Sequence, residues 1–359
     1  MNAEAVPPQR RRGRPPRTDQ STIRDVAERA GVGIATVSRV INRSPLVTTQ
    51  KTEKVLQAIQ EVGYKIPAMG RRPGKRKKSA PELTHGAVCM LMIGRWRLTS
   101  APVYAYVLEG VESALRLKNV NCIVRNVYDV SDLDSLKGMQ VDGFIVLGAG
   151  GLSDWPLHLQ SYPSVSVLGL PGSGWGDCVT YNNASTGKLA AHYLLLRGVK
   201  HAAIMGFGGD DELFDARRDG LRRTMAASGA IVTDLSSEHM PEVGSPNDEA
   251  VAACFKAFLR LSPRPDGIFI TSDVVVPAVY RELNRHRLIP GKNIHLVSCN
   301  NERSYLADLK TPPAEVDIQS GLIGKEAVEA LFWRLQNPNA AQRSILIEPL
   351  LHLPSPPAA

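Results

Sequence analysis

Thr36, Ser38, Arg39 and Asn42 stand close together behind the apolar pair Ile34 and Ala35. Each of these residue types can meet a base edge or a phosphate. Arginine pairs with the acceptors of guanine, hydroxyls and amides serve base edges or phosphate oxygens, and a small apolar side chain suits a thymine methyl. Such a set reads a duplex only when one rigid element carries it into a groove, so the flanking pattern decides its meaning.

That pattern is helical on both sides. Thr22 can cap a helix whose first turn holds Asp25, where a hydroxyl and a carboxylate satisfy orphan amides and oppose the dipole. Ile23, Val26, Ala27 and Ala30 recur at three and four residues and form one apolar face. Gly31 supplies a permissive turn. A second helix from about residue 35 turns Val37, Val40 and Ile41 inward and leaves the groove-reading set outside. A third, over 49–62, brings Val55, Leu56, Ile59 and Val62 to close a small core. Residues 21–65 are therefore expected to form an all-α helix-turn-helix head. An ordinary helical hairpin fits the same periodicity taken alone.

Charge is segregated toward the same end. Residues 1–80 hold 18 Lys and Arg against 6 Asp and Glu, a net of +12, whereas the remaining 279 hold 25 against 29, a net of −4. An excess confined to one end beside such a head points to phosphates and to binding that weakens with salt.

The complete string decides between the two readings. Thr22-Ile23-x-Asp25-Val26-Ala27, Ala30-Gly31-Val32, Thr36-Val37-Ser38-Arg39-Val40-Ile41-Asn42 and Gly63-Tyr64 closely resemble the DNA-binding head of the LacI/GalR family of bacterial transcription regulators. Weaker family motifs follow in order to about residue 350. They include Glu109-Gly110-Val111-Glu112, Val141-Asp142-Gly143, Asn182-Asn183-x-x-x-Gly187, Arg217-x-x-Gly220-Leu221 and Ser272-Asp273. Gly33 departs from the family, which usually has Ser as the cap of the recognition helix; the change loosens that helix entry by a few tenths of a kcal/mol.

Two basic segments flank the head. Residues 1–20 are rich in Pro and Arg without apolar periodicity and are expected as a disordered arm. Within it, Arg12-Gly13-Arg14-Pro15 matches the core of an AT-hook, which lays two arginines into a narrow A·T minor groove; a general electrostatic arm is the alternative. Residues 66–84 form a basic linker. In the family this stretch becomes a hinge helix on DNA, with a leucine wedged into the minor groove. Here Pro67, Gly70 and Pro73 replace the family's Asn, Ala and Leu, and in a helix interior Pro costs about 3 kcal/mol and Gly about 1 kcal/mol. The expected contacts are therefore electrostatic, through Arg71, Arg72, Lys75, Arg76, Lys77 and Lys78, with Tyr64 beside them.

Beyond residue 85, short apolar runs alternate with helical patterns. Strands are expected over 87–93, 121–125, 143–147, 164–168, 202–205, 267–270 and 295–298. Helices are expected over 103–118, 133–139, 184–196, 213–228, 248–259, 274–287 and 321–335. The alternation predicts two doubly wound α/β lobes with a site at the carboxyl ends of strands. The resemblance implies a two-lobed domain like periplasmic sugar-binding proteins over 85–353, with crossovers near 182, 311 and 340. Lobe 1 would then take about 85–182 and 312–339, and lobe 2 about 183–311 and 340–353, before a tail over 354–359.

By the same resemblance, a small effector, a sugar or sugar acid, lies between the lobes against Arg217, Asp273 and Asn300. A guanidinium can hold a carboxylate or paired hydroxyls, and a carboxylate can accept from sugar hydroxyls. Trp96, Tyr104, Trp175 and Phe214 fall in segments expected at the cleft, where a ring can stack on a sugar face; each could equally be core. The family usually has Asp at the positions of Asn182 and Asn300, so the cleft is expected to be less acidic and more open to an anionic metabolite.

Catalysis is not expected. Gly148-Ala149-Gly150-Gly151 and Gly206-Phe207-Gly208-Gly209 complete neither a dinucleotide fingerprint nor a phosphate loop, and no zinc or serine-hydrolase motif occurs. Cys89, Cys122, Cys178, Cys254 and Cys299 lack metal-ligand spacing, and no cofactor is implied. No apolar run approaches 18 residues and no signal sequence opens the chain, so a cytoplasmic protein at the nucleoid is expected. Together these features predict a homodimeric, effector-controlled repressor bound to a double-stranded operator. A nucleoid-type protein preferring A·T-rich DNA is the alternative.

Overall fold

The structure, a computed structural model, describes residues 21–41, 47–64, 83–93, 102–129, 138–148, 161–169, 176–206, 212–235 and 248–354, with the isolated positions 132, 134, 136 and 159. The basic arm and linker, and with them Arg12, Arg14, Arg71, Arg72, Lys75 and Arg76, lie outside the described residues. So do Asn42, Trp96 and Trp175. The chain divides into two units, Met1–Ser79 and Ala80–Ala359.

In the first unit, α1 (Ile23–Ala30), α2 (Ile34–Ile41) and α3 (Thr49–Val62) enclose a core of Val26, Ala27, Val37, Val40, Val55, Ala58 and Ile59. The carboxylate of Asp25 reaches back to the amide (2.7 Å) and hydroxyl (2.8 Å) of Thr22 and fixes the start of α1. Its end is fixed by Gly31, at φ +64°, while the Val32 amide returns to the Ala27 carbonyl at 3.0 Å. The third helix differs from expectation at two positions: Val62 is only half-buried, and Leu56 is 48% exposed, with Ala58 taking the inward place. An alanine suffices there because α1 and α3 approach closely, and an ion pair of 2.6 Å between Arg29 and Glu61 spans the same two helices.

The second unit contains two six-stranded sheets of matching order, β11-β5-β4-β3-β1-β2 and β12-β10-β9-β8-β6-β7. Lobe 1 holds β1 (Ala87–Ile93), β2 (Asn121–Val127), β3 (Gly143–Leu147), β4 (Ser164–Val167), β5 (Asp177–Tyr181) and β11 (Ser344–Ile347). Lobe 2 holds β6 (His201–Met205), β7 (Ile231–Asp234), β8 (Gly267–Ile270), β9 (His295–Cys299), β10 (Ala314–Asp317) and β12 (Leu350–His352). All pairings are parallel except that of β10 with β12. The central strands β1, β3 and β8 are apolar and buried along their whole length, which is why they read as continuous hydrophobic runs.

The helices of lobe 1 are α4 (Pro102–Leu117) and α10 (Ser320–Gln336). Those of lobe 2 are α5 (Asn183–Leu196), α6 (Glu212–Ala227), α7 (Asp248–Arg260), α8 (Val276–Arg285) and the short α9 (Arg303–Leu306). Of the helix expected over 133–139, the described residues are Asp134 and Leu136, which have 3₁₀ geometry, and Gly138 and Met139, which are not helical. The chain crosses between sheets at 182, at 318–319 and at 348–349. The last two crossings differ from the expected 311 and 340, because β10 and β11 were not legible as strands: each is only four residues long, too short for a period to register. The crossings are stitched together. The Asn182 amide donates to the Ile347 carbonyl at 2.9 Å, its side chain donates to Glu348 at 2.8 Å, and Gln319 Nε2 donates to the Glu348 carbonyl at 2.7 Å.

Candidate nucleic-acid interface and effector cleft

In the head, α2 turns two faces in different directions. Val37 and Val40 are buried, whereas Ile34, at 45% exposure, Ala35 and Arg39 are exposed and Thr36 and Ser38 are half-buried. The spacing thus sets an apolar front and a cationic fork on the outer face of a helix whose inner face is locked. Tyr64 lies half-buried against the head core. Gly33 has an ordinary φ and open space within 4 Å of where a Cβ would stand, so the family's serine fits here without strain and its absence is a loss of capping alone.

In lobe 2, two glycines place the site. A Cβ on Gly187 would meet the Arg217 carbonyl at 1.9 Å, and one on Gly220 would meet the Ala184 carbonyl at 2.2 Å, so α5 and α6 cross in backbone contact. This crossing drives Arg217 into the interior, where it is 1% exposed. Its Nε donates to Asn183 Oδ1 at 3.0 Å; its Nη1 donates to the Thr271 carbonyl and, at 3.4 Å, to Asn300 Oδ1. The rings of Tyr181 and Phe214 lie 5.3 Å and 5.2 Å from its guanidinium carbon. Arg217, Phe214 and Asn300 are therefore brought together as expected from the sequence. Tyr104 packs half-buried against the lobe 1 core.

Asp273 sits deeper than expected. It is 0% exposed, and its Oδ2 accepts the Glu302 amide at 2.9 Å, so it orders the segment after β9. Burial first, and then Glu315 beside it, hold the Asp273 carboxyl well above the usual carboxylate range; burial also raises Glu315. Two carboxyls in an apolar interior are accommodated when they hold a proton between them.

Glu302 was not anticipated. It is 1% exposed, and burial, with Asp273 next, pushes its carboxyl up to about 7. Asn300 Nδ2 donates to Glu302 Oε2 at 3.2 Å and to Ser272 Oγ at 3.2 Å. Both Asn300 (φ 112°) and Asn301 (φ 61°) have left-handed backbones, which asparagine tolerates better than most residues. An aspartate at 300 could not donate to Glu302 and would add a charge beside Asp273. Asn182 follows the same logic. Its Oδ1 caps α5 through the Ser185 amide at 3.1 Å while its Nδ2 reaches Glu348, a donation an aspartate could not make. Each amide thus comes with a glutamate, which corrects the expectation of a less acidic cleft. The available signal was Glu302 itself, which lies just beyond the carboxyl end of a buried strand.

A cavity of about 450 Å³ opens between the lobes near the crossings. Tyr106 and Glu109 of α4, Ser320 and Lys325 of α10, and Asn300 and Arg303 of lobe 2 line it. Of the predicted effector contacts among the described residues, Asn300 alone is among its lining residues. The five cysteines are free, and no cluster of potential metal ligands occurs among the described residues.

Two family models match this architecture. Residues 22–66 match bacterial regulatory proteins of the lacI family, and residues 191–353 match the periplasmic binding protein-like domain. The chain belongs to the LacI/GalR family of bacterial transcription regulators. The ribose operon repressor of Escherichia coli (strain K12) is 25% identical to this member over 340 residues, which cover 92% of this chain and 98% of that protein. The solved complex of the transcriptional regulator CelR with cellobiose has a TM-score of 0.63 at 23% identity, covering 93% of this chain and 99% of the other. A LacI family regulator from Enterococcus faecium with bound ribose has a TM-score of 0.63 at 18% identity, covering 76% of this chain and 100% of the other. This LacI/GalR member is a DNA-binding regulator of the repressor class, controlled by a small molecule. Among its described residues, no helix is long and apolar enough to cross a membrane.

Proposed function

We propose that this regulator acts in the bacterial cytoplasm as a homodimer on an operator with two half-sites, reading bases through Ile34, Ala35, Thr36, Ser38, Arg39 and Asn42 of the recognition helix. The observation that carries the reading is the two-faced α2, buried at Val37 and Val40 and exposed at Ile34, Ala35 and Arg39. One short helix reads few base pairs, so a two-fold dimer is the economical way to a longer site. The basic arm and linker, with Arg12, Arg14, Arg71, Arg72, Lys75 and Arg76, hold phosphate or the minor groove and make affinity fall with salt.

The effector is a neutral sugar held between the lobes, with Asn300, Arg217 and Phe214 on the lobe 2 side and Trp96, Trp175 and Tyr104 on the lobe 1 side. Support comes from Glu302 beside Asn300, whose carboxyl disfavours a second carboxylate, and from relatives named for ribose and cellobiose. The chain binds and does not catalyse, since its buried carboxyls in the cleft are engaged by backbone amides.

Arg39→Ala tests the readout. It should abolish the preference for operator over bulk DNA by a factor of about 10 or more in a competition assay, leaving weak, salt-sensitive binding; unchanged preference refutes the assignment. For the effector, ribose and cellobiose should raise the melting temperature while sugar acids do not. Stabilisation by sugar acids alone refutes the neutral-sugar reading.

A further inference from the structure

The first turn of α4 poses an accounting problem whose solution crosses the cleft. Pro102 carries no amide hydrogen, so Val103 has the first N–H of the helix, and a helix supplies no internal partner for it. Val103 is only 7% exposed, so water is a poor substitute. The partner is Glu302 Oε1, at 3.1 Å, from the opposite lobe and 199 residues away in sequence. Glu302 is itself held from three sides: its own amide by Asp273, its Oε2 by the Asn300 side chain, and its position by the left-handed turn at Asn300 and Asn301. Its carboxyl also lies at the positive end of the α4 dipole, where a negative group is favoured.

We propose that Glu302 is an interlobe latch, an internal substitute for effector that caps α4 of lobe 1 from lobe 2 and holds the lobes together when the cleft is empty. Asn300 and Asp273 are its positioning residues. Asp273 fixes the backbone of Glu302, and the amide at Asn300 gives its carboxyl a donor where an acid would repel it. An effector group that reaches the amino end of α4 competes with Glu302 for the Val103 amide, so binding and release of the latch are linked. The latch does not depend on which effector the cleft takes.

The test uses the full chain without effector. Amide hydrogen exchange is read at Val103 and, as a folding control, at Val107 and Val111 in the same helix, with small-angle scattering reporting separation of the lobes. In Glu302→Ala, Val103 should exchange about tenfold faster or more, the loss expected for a hydrogen bond to a charged group. Val107 and Val111 should stay protected, and the radius of gyration should rise. Unchanged exchange at Val103 overturns the latch. Faster exchange with unchanged scattering also overturns it, because Glu302 would then cap a helix without holding the lobes. If Val107 and Val111 lose protection as well, Glu302→Met, which keeps the size of the side chain and removes the acceptor, is read instead; Val103 exchange equal to wild type in that variant rejects the proposal.

Discussion

The two lobes share their building devices and differ in what they bury. Each has a six-stranded sheet of the same strand order. Each starts its first strand with an aspartate from a later one: Asp142 accepts the Thr84 and Ala87 amides at 2.6 Å and 3.2 Å, and Asp266 accepts the Lys200 and His201 amides at 3.2 Å and 3.0 Å. Each also seals a helix pair with glycine. A Cβ on Gly324 would meet the Val107 carbonyl at 2.1 Å, just as one on Gly187 would meet Arg217. The interiors then diverge. Among its described residues, lobe 1 buries the ion pair of Arg334 with Asp177, closed bidentately at 3.1 Å and 2.6 Å and completed by the Arg343 amide at 2.8 Å. Lobe 2 buries Arg217, Asp273 and Glu302 with no such closed pairing, and its carboxyls crowd one another. The same scaffold therefore spends its buried charge on rigidity in one lobe and on a responsive cluster in the other.

The largest effect should come from breaking the closed pair. Arg334→Met leaves Asp177 buried without its partner and should lower the unfolding free energy by about 3–5 kcal/mol in chemical denaturation. Effector response should persist wherever the variant remains folded. If the loss is under about 1 kcal/mol, lobe 1 does not rely on that pair as described.

The lobe 2 cluster should instead reveal itself through pH. The Glu302 carboxyl rises from 4.5 in the open chain to about 7 in the fold, so its contribution to stability is fully present below pH 4.5 and is lost as pH rises through about 7. The loss approaches about 3 kcal/mol by pH 8. Denaturation of wild type across this interval should show stability falling with pH, and Glu302→Gln should flatten the slope. An unchanged slope would assign the titration elsewhere.

The smallest effect separates the two helix crossings. Gly187→Ala and Gly324→Ala should each cost about 1–3 kcal/mol, since backbone must shift to admit the methyl group. Only Gly187→Ala displaces Arg217, so it alone should weaken the effect of effector on DNA affinity, measured by fluorescence anisotropy. Equal effects on that response would remove the functional distinction between the lobes.

Much of this was legible without coordinates. The capping pair Thr22 and Asp25, the turn at Gly31 and the inward set Val26, Val37 and Val55 follow from periodicity and turn chemistry, because a three-helix head is built from contacts close in sequence. The central strands β1, β3 and β8 were legible because burial on both faces makes them continuously apolar. β5 and β7 were not, since Asp177 and Thr180 interrupt the apolar run of the first and the second spans four residues, and β10, β11 and β12 are too short for a period to register.

For the site, the family resemblance pointed to Arg217, Asp273 and Asn300, and the structure brings Arg217, Phe214 and Asn300 together with Asp273 buried deeper. The electrostatics were misjudged from sequence, because an amide in place of an acid was counted as a lost charge while its partner lay elsewhere: Glu302 two positions on, Glu348 in another crossing. The sequence by itself determined the head and the α/β class. Both are set by local backbone rules and hydrophobic spacing. Only the tertiary structure decided which lobe satisfies its buried charge and which leaves it crowded, and that Glu302 finishes a helix of the opposite lobe. That pairing depends on groups 199 residues apart meeting within 3.1 Å, a distance no periodicity encodes.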